Sequence, residues 1–465
     1  MDWTERLPPR PWLVRGVVLL LVVSLLAPSA VSAITYDQEE SNLTKGTIES
    51  PANGTTVISV QGYHFQGQGN KKKPARLVAV GPNGNVEWVH NGSKEGASWF
   101  YDVDPLDNGN LLVTSTQRGG TLVYEYNPDT QEKEWEQFLE IHDTHDVDLI
   151  NGDQLLVANM RAYNESTGQN DDRLFIYDLE DDEITWEWYF RSHYEKKNGG
   201  DYTDDWTHVN DVDKIGPGKY MADPRNMDEV IVVDRESKEV TMKLGEDGDY
   251  DTLQEQHNPD YLESESGNPT ILVADSENHR IVEYEKRGNE WESTWEMGSS
   301  EKFNWPRDAD RLPNGNTLIT DSSNHRVIEV TPEGEIVWEF YSPWLPYDAE
   351  RVVHGDGSNG PTMADHGTTG DYQVSGSANI DPGTGDRVKM SVLLGNTFSG
   401  TAIEEDMREY GEVWDQATPF IRPIWMNEYA FIAAIFAILI VLGWLIGELV
   451  YQRRRIYSGV KHRFA

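Results

Sequence analysis

A pattern that recurs five times in the middle of the chain restricts its fold more than any other feature of the sequence. Each copy has one variable residue, an Asp-x-Asp-like triplet, a turn and an apolar run typical of a strand. The copies begin roughly 45–65 residues apart, at Tyr101, His145, Asn210, His257 and Arg307. This period is typical of the four-stranded blades of a β-propeller. Asn-Gly pairs after several triplets predict the hairpin that joins the first two strands of a blade.

Tryptophan-bearing strands close several of the predicted blades. They lie at residues 85–89 (NVEWV), 184–188 (ITWEW) and 335–340 (EIVWEF). The first belongs to a degenerate blade at about 57–92, which precedes the five clear copies. The sequence therefore predicts an all-β fold, a six-bladed β-propeller over residues 57–342, although five or seven blades also fit the spacing.

Both ends of the chain carry membrane signals. Residues 1–33 have the order of a secretory signal: arginines such as Arg6, an apolar run, and a small-residue stretch ending in an A-x-A-like site. An uncleaved amino-terminal anchor is the alternative. Residues 428–452 form an apolar segment, a predicted transmembrane helix long enough to span ~30 Å of hydrocarbon. The basic tail at 453–465 follows it.

The positive-inside rule gives these segments an orientation. It places the basic tail in the cytoplasm and everything before the helix outside the cell. We therefore predict a single-pass protein of the cell membrane that meets the lipid bilayer through one helix.

Two further segments flank the predicted propeller. Residues 34–56 form an amino-terminal extension. Residues 343–427 break the repeat and are rich in Gly, Ser, Thr and Asp. We expect them to close the ring and then form a stalk to the helix. Whether they close the ring by donating a strand is left open by the sequence.

The charge balance excludes one class of partner. The chain has 80 Asp and Glu against 39 Lys and Arg, a formal net charge of −41. Such a surface repels phosphates, so we expect no nucleic-acid partner. Adaptation to high salt explains the acidity, because the Debye length is only ~3 Å at molar ionic strength. A halophilic archaeon is the natural host. The absence of cysteine excludes disulfides, thiolate catalysis and Cys-ligated zinc.

The variable residue of the repeat is the candidate site. In a propeller the inner strands begin around a central channel, so residues at equivalent places should converge at one mouth. The five starts are two imidazoles, an amide, a guanidinium and a phenol, and His208 lies two residues before Asn210. Such a mixture can bind an oxyanion and supply a nucleophile.

The alternative for any single histidine is a loop hydrogen bond without chemistry. Three histidines and an arginine on matched loops favour a site. His279 and His325 are a different case. They lie in strings similar to the NHL propeller repeat, residues 275–280 (DSENHR) and 321–326 (DSSNHR). There the structural interpretation is preferred, with each histidine closing a hairpin.

Several short strings, in their order and spacing, resemble the PAPS-independent arylsulfotransferase family, periplasmic or surface propellers that move sulfate between phenolic groups. Residues 206–213 (WTHVNDVD) are similar to the family's W-x-H-x-N-S-V string. Residues 224–226 (PRN) stand where the family has a serine-arginine pair, and 256–258 (QHN) match its Gln-His motif. Residues 275–276 (DS) stand where the family reads Asp-Asn, and the resemblance covers about 95–342.

The resemblance implies roles for individual residues. His257 would attack sulfur and form a sulfohistidine intermediate. His208, Arg225 and His145, which lies in a blade similar to an earlier histidine-containing blade of the family, would neutralise the sulfuryl oxygens and the departing phenolate.

The residues themselves agree with this chemistry. Clustered cations keep an imidazole neutral and nucleophilic, and a fixed guanidinium can stabilise a leaving oxygen.

The remaining members of the site are predicted to bind substrate, namely Asn210, Arg307 and Tyr101. The expected partners are an aryl sulfate donor and a phenolic or glycan acceptor. No metal and no cofactor is expected to be required.

Two positions depart from the family pattern. Asp211 and Pro224 replace serines. A carboxylate at 211 would oppose sulfate binding unless it points along the strand, as its place in the Asp-x-Asp repeat suggests.

Two non-catalytic hypotheses stay open. One is an NHL-like propeller for binding or scaffolding at the cell surface. The other is a calcium-binding structural module, because alternation along a strand sends both carboxylates of an Asp-x-Asp triplet to one face.

Overall fold

The computed structural model describes residues 10–36, 42–62, 73–92, 96–299, 302–376 and 390–463. The start of the predicted amino-terminal segment, with Arg6, and part of the predicted stalk, 377–389, lie outside the described residues. The chain forms two compact units, Leu43–Phe420 and a smaller one made of its two ends.

The larger unit is built from antiparallel strands that follow one another along the chain. Its first half contains β1 (Thr44–Ile48), β2 (Thr56–Val60), β3 (Arg76–Val80), β4 (Val86–Asn91), β5 (Ala97–Pro105), β6 (Leu111–Gln117), β7 (Gly120–Asn127), β8 (Glu132–Leu139), β9 (Val147–Ile150), β10 (Gln154–Asn159), β11 (Tyr163–Asn164), β12 (Gln169–Asn170), β13 (Arg173–Asp178) and β14 (Glu183–Tyr189).

The second half continues in the same manner. It contains β15 (Val209–Gly216), β16 (Lys219–Pro224), β17 (Glu229–Asp234), β18 (Val240–Gly245), β19 (His257–Glu263), β20 (Pro269–Asp275), β21 (Arg280–Arg287), β22 (Glu290–Gly298), β23 (Pro306–Arg311), β24 (Thr317–Asp321), β25 (Arg326–Val330), β26 (Ile336–Tyr341), β27 (Pro346–Arg351) and β28 (Gly370–Tyr372).

These strands form the six blades of a β-propeller, as the repeat predicted. From the inner strand outward, the blades are β27-β2-β3-β4, β5-β6-β7-β8, β9-β10-β13-β14, β15-β16-β17-β18, β19-β20-β21-β22 and β23-β24-β25-β26. The inner strands of neighbouring blades contact one another. The Asp-x-Asp triplets of the repeat lie on or at the start of these inner strands.

The ring closes through strands from both ends of the propeller sequence. β27 supplies the inner strand of the blade that contains β2, pairing Ala349 with Ile58. β1 adds a fifth strand to the last blade, pairing with β26. β27 lies beyond the predicted propeller range 57–342 and makes the strand donation that the sequence left open, while β1 lies in the predicted extension 34–56.

The hydrophobic core is divided among the blade interfaces. Each of six buried clusters joins the facing sides of two neighbouring blades. Outer-strand tryptophans fasten these interfaces: Nε1 of Trp186 donates to the carbonyl of Arg235 in the next blade at 3.0 Å, and Nε1 of Trp338 donates to Pro82 at 3.2 Å. A large ring with one donor suits such a place, because its apolar body is buried while its N–H still finds an acceptor.

Five α-helices complete the described structure. They are α1 (Arg10–Thr35), α2 (Met363–His366), α3 (Met390–Thr397), α4 (Glu404–Ile421) and α5 (Glu428–Arg463). In the larger unit, α4 packs on the last blade and on the closing segment: Nε1 of Trp344 donates to Pro419 at 2.7 Å.

The smaller unit pairs α1 with α5. Arg15 binds Glu448 at 2.8 Å, and the hydroxyl of Ser32, at the other end of α1, donates to the carbonyl of Trp425 at 2.8 Å. The two helices are therefore antiparallel. By length and composition, both are able to cross a membrane.

Candidate active site

A β-bulge near the start of most inner strands changes the side of the strand that the variable residue of the repeat faces. In β5, Tyr101 lies between two paired residues and has no cross-strand partner of its own. Arg307 in β23 and Tyr347 in β27 occupy the same place. Without the bulge, the variable residue and the first carboxylate of the triplet would face opposite sides of the strand.

In five of the six blades, the residues that lead to the variable residue share one backbone geometry. Two residues before the variable residue, φ is +56° at Asp143, +44° at His208, +44° at Glu255, +58° at Trp305 and +58° at Leu345. Such left-handed conformations are uncommon for residues other than glycine and cluster at functional sites. His208 therefore occupies the repeat position of Asp143 and Glu255.

His145 is the centre of the first group of predicted residues. Its ring centroid lies 3.8 Å from that of Tyr101 and 5.3 Å from that of His208. Its Nδ1 lies 2.8 Å from Oδ1 of Asn210 and 2.9 Å from the hydroxyl of Tyr347. Four residues that the sequence predicted as site members thus contact one another across three blades.

His257 lies on the other side of Tyr347, at 6.0 Å between ring centroids. Its Nδ1 lies 2.8 Å from the hydroxyl of Ser276 and 3.2 Å from the carbonyl oxygen of Glu255. A carbonyl oxygen only accepts, so these contacts place the proton on Nδ1. Nε2 then carries the lone pair, and no hydrogen-bond partner for it is found in the described part of the chain.

A polar network connects His208 with Arg225. Nδ1 of His208 donates to Asp205 at 2.7 Å. The amide of Asn226 donates to the Asp205 carbonyl at 2.6 Å, and its Oδ1 accepts from Arg225 at 2.8 Å. Arg225 also lies 3.6 Å from Glu255. This network fixes the guanidinium of Arg225 close to the imidazoles.

Arg307 is a buried guanidinium between two aromatic rings. Its central carbon lies 3.9 Å from the ring of Trp305 and 4.8 Å from that of Tyr347. One nitrogen donates to Oε1 of Gln61 at 2.7 Å, while Nε has no partner among the described residues. Among the described residues, no carboxylate is paired with Arg307. A buried cation in this state is suited to binding an anion.

Burial keeps the imidazoles neutral. It lowers the pKa of His257 well below 6.5, and Arg307, Arg225 and His208 lower it further. Burial also lowers the pKa of His208 to about 4, although the hydrogen bond to Asp205 opposes this. The pKa of His145 is lowered for the same reason. At neutral pH the fixed cations of the site are therefore the two arginines.

Below these residues, the triplets form two acidic rings. The first acidic ring comprises Asp102, Asp146, Asp211, Asn258, Asp308 and Asp348, and the second comprises Asp104, Asp148, Asp213, Asp260, Asp310 and Glu350. Both rings line one cavity of about 40 Å³.

The first acidic ring also joins the blades. Asp146 accepts from the N–H of Val212 at 2.6 Å, and Asp348 accepts from that of Val103 at 3.1 Å. In each case the donor is the middle residue of a neighbouring triplet. Asp211 would meet Pro259, which has no N–H, and one of its carboxyl oxygens is unpartnered among the described residues. Asp211 thus faces the acidic cavity, and burial together with Asp213 raises its pKa well above the usual value.

Sequence reasoning missed Tyr347, which touches both His145 and His257. The sequence did contain a signal for this residue. A sixth copy of the motif is present at Tyr347-Asp348-Ala349-Glu350, with Glu in place of the last Asp. No turn and strand follow it, since its hairpin partner β2 lies near the start of the chain. Gln61 and Trp305 were also missed, because nothing local distinguishes them from loop residues, and Ser276 was noted only in the string at 275–276 and given no role in the site.

The two NHL-like strings form hairpin turns, as expected. In the first, Asp275 accepts from Asn278 at 2.8 Å and from Arg280 at 2.6 Å. His279 has φ of +55°, and its Nδ1 accepts from the N–H of Trp305 at 3.3 Å. His325 is equivalent, with Nδ1 accepting from the N–H of Leu345 at 3.4 Å. These two histidines bind the backbone of loops that lead to site residues, and so they hold these loops in position.

Comparison with known proteins identifies one family. A family model described as Arylsulfotransferase (ASST) matches residues 108–342, half of the chain. No curated protein matches the sequence.

Several solved structures are similar to the chain, at low TM-scores and low sequence identity. A protein of unknown function from Bacteroides caccae has a TM-score of 0.44 at 10% identity, covering 64% of this chain and 98% of that one. An auxiliary nutrient binding protein from Bacteroides thetaiotaomicron has a TM-score of 0.40 at 12% identity, covering 60% and 74%. A catalytically inactive virginiamycin B lyase from Staphylococcus aureus with quinupristin has a TM-score of 0.39 at 9% identity, covering 66% and 88%. These likenesses carry no argument about function.

Proposed function

The chain belongs to the arylsulfotransferase family, and from this premise we propose that it moves a sulfuryl group from an aryl sulfate to a phenolic or glycan acceptor through a sulfohistidine at His257. The observation that carries the proposal is the setting of this imidazole. Its Nε2 lone pair has no hydrogen-bond partner among the described residues, and two arginines, Arg225 and Arg307, lie close enough to lower its pKa.

In the first step, Nε2 of His257 attacks the sulfur of the donor. A nitrogen–sulfur bond forms while the bond from sulfur to the aryl oxygen breaks, and the electron pair leaves with the phenolate. The imidazole gains one positive charge and carries the sulfuryl group. Ser276 and the Glu255 carbonyl support this step, because they hold the Nδ1 proton and keep the ring oriented.

The arginines stabilise the charge that moves during this step. Negative charge grows on the aryl oxygen, and fixed buried donors lower the energy of such a transition state. Arg307 is suited to this role since it has no carboxylate partner among the described residues and does not have to break an ion pair. We assign the sulfuryl oxygens to Arg225 and Arg307, with Asn210 and Tyr101 lining the site.

In the second step, the hydroxyl of the acceptor attacks the sulfur of the intermediate. The nitrogen–sulfur bond breaks, the electron pair returns to Nε2, and a neighbouring neutral imidazole takes the hydroxyl proton. His208 and His145 are available for this proton, because both are neutral at pH 7. This proton is then released to solvent, and the phenolate that left in the first step takes up a proton from solvent, so the resting state is restored.

The test is to trap the intermediate. Incubation with a ³⁵S-labelled aryl sulfate and no acceptor should label a peptide that contains His257, and added phenol should discharge the label. His257→Ala should abolish both the label and the turnover of p-nitrophenyl sulfate. His366→Ala is the matched control, since this histidine is exposed. Full turnover by a folded His257→Ala variant would refute the mechanism, whereas a folded wild type without any turnover would favour a binding propeller.

We further propose that α5 anchors the propeller at the outer face of the cell membrane, with the basic tail in the cytoplasm. The support is the length and apolar composition of α5 together with the arginines that follow it. Because α1 packs antiparallel to α5, we favour the uncleaved anchor over a cleaved signal, which gives two membrane spans in place of the single pass predicted from the sequence.

The absence of cysteine makes the topology simple to test. A membrane-impermeant maleimide applied to intact cells should label Asp181→Cys, in an exposed propeller turn, and spare Arg453→Cys, near the end of α5. The reverse labelling would contradict this orientation. Loss of α1 from the mature chain, seen by mass spectrometry, would contradict the anchor.

A further inference from the structure

The two acidic rings bring together far more carboxyl groups than the cationic side chains near them can pair with. Twelve carboxylates line the cavity when Asp356 is included. The cationic groups that act on them include Lys214, Arg311 and Arg351. Of these, Arg311 is held by Glu283 at 3.3 Å and Arg351 by Glu329 at 2.9 Å. The charge of the rings is therefore largely uncompensated by the described side chains.

The joining of blades explains only part of this acidity. Asp146 and Asp348 in the first acidic ring each use one oxygen for a backbone N–H of another blade. In the second acidic ring, Asp104 and Asp310 each keep an oxygen without any hydrogen-bond partner among the described residues. These two residues are only 6% and 3% exposed. Buried carboxylate oxygens without a partner are costly unless something else binds them.

Three carboxyl groups at the second acidic ring converge on one place. One oxygen each from Asp104, Asp148 and Asp356 lies within 4.8 Å of the others. Calcium binds oxygens at about 2.3–2.6 Å, so ligands of one ion lie at most about 5 Å apart. The loop that carries Asp356 is fixed over the cavity, since the N–H of Gly357 donates to Glu350 at 3.1 Å.

We propose that the second acidic ring, with Asp104, Asp148 and Asp356 as the principal ligands, binds a calcium ion in the propeller channel. The donor set is all oxygen, which is the choice of a hard cation. The cavity of about 40 Å³ has room for such an ion with water. Many carboxylates in a flexible arrangement suit calcium, which takes six to eight ligands, better than magnesium, which demands an octahedron.

The position of the site suggests its effect. It draws ligands from β5, from β9 and from the loop after β27, so the ion ties together three consecutive blades, including the one that closes the ring. The bound calcium also offsets negative charge of the acidic rings, which lie below the site residues that face the anionic donor. Calcium should therefore stabilise the closed ring.

The experiment is calorimetric titration of the detergent-solubilised full chain with CaCl₂ after treatment with EGTA, in buffered KCl. We expect saturable binding of about one calcium per chain, and weaker binding of MgCl₂ by at least roughly tenfold. At a hundredfold excess over Kd, Tm should rise by roughly 3–5 °C. The absence of saturable calcium binding in the wild-type protein, or an equal response to KCl alone, would overturn the proposal.

Variants locate the site. Asp104→Asn combined with Asp148→Asn should weaken calcium binding by at least roughly tenfold, while Asp181→Asn in an exposed turn should leave it unchanged. If the double variant fails to fold, Asp356→Asn carries the test, because Asp356 is exposed and its replacement leaves the inner strands intact. Wild-type affinity in a folded Asp356→Asn variant and in the double variant would also refute the site.

Discussion

At the scale of single residues, the mouth of the channel combines neutral imidazoles with the buried guanidinium of Arg307 and the partly buried one of Arg225. The bulges and left-handed residues at the inner strands bring these side chains together although they lie far apart in the sequence. Water is largely excluded, because His145, His208, His257 and Arg307 are all more than nine-tenths buried. In such a setting each charge acts strongly on its neighbours.

The first residue-scale prediction concerns Arg307. Arg307→Gln should lower kcat/KM for an aryl sulfate by roughly 10²–10³-fold, because a buried donor to the developing negative charge is lost. Steady-state kinetics with p-nitrophenyl sulfate measure this. Arg287→Gln is the control, since Arg287 is half-exposed on β21. Unchanged kinetics in Arg307→Gln would remove this residue from the site.

A second prediction follows from the lowered pKa of His257. The folded enzyme keeps this imidazole neutral at pH values below 6.5, the ordinary pKa of histidine. The nucleophile is therefore not lost as pH falls from 8 to 6. The charged or titratable groups beside it are Arg307, Arg225, His208, His145 and Tyr347. We expect the acid limb of kcat/KM, measured with a donor whose ionisation is constant, to lie below pH 6. An acid limb at 6.5 or above would show a protonated resting imidazole.

A third prediction concerns stability and His208. Its pKa is about 4 in the folded protein and 6.5 as the ordinary value. The unfolded chain therefore binds more protons between these values, and the free energy of unfolding falls as pH drops through this window.

Urea denaturation at about pH 7 and pH 5 tests this. The wild type should lose more stability than His208→Gln, by roughly 2 kcal/mol. Asp205, Arg225, Arg161 and His145 face this imidazole, so the comparison between variants isolates its own contribution. Equal losses in the two proteins would contradict the burial argument.

At the scale of strands, closure of the ring depends on β27. Ala349 is fully buried, pairs with Ile58 of β2, and donates its N–H to Asp308 in the last blade at 3.3 Å. This single residue joins the two blades that meet where the ring closes.

Ala349→Pro should therefore be destabilising, by roughly 1–3 kcal/mol, because proline has no N–H and leaves the buried carboxyl group of Asp308 without this donor. Thermal unfolding followed by circular dichroism measures the effect. Ala349→Ser keeps the N–H and a small side chain, and it should cost much less. Equal costs in the two variants would mean that volume at position 349, and not its N–H, is what matters.

At the scale of the whole molecule, the net charge of −41 dominates behaviour in solution. We expect Tm to rise as KCl increases from about 0.1 M to about 2 M, since salt screens the repulsion among surface carboxylates. Choline chloride at the same ionic strength should give a similar rise if screening is the cause. A Tm that is independent of salt would contradict the interpretation of the acidity as salt adaptation.

The amino-acid sequence by itself determined the propeller, its six blades and the apolar helices at the two ends. These features have local signals, namely the period of the Asp-x-Asp motif, the Asn-Gly turns and long apolar runs. The strings around His208, Arg225 and His257 indicated the family for the same reason, since residues close in sequence carry them.

Only the tertiary structure decided how the ring closes and which residues share the mouth. β27 pairs with β2 across almost 300 residues, so no hairpin signal marked Tyr347 as a member of the repeat. The bulges depend on cross-strand register, which a single strand does not reveal. The proton on His257 depends on Ser276, which follows the next strand of the same blade, and the unpartnered oxygens of the acidic rings depend on residues of other blades. Hydrogen-bond partners are close in space and need not be close along the chain.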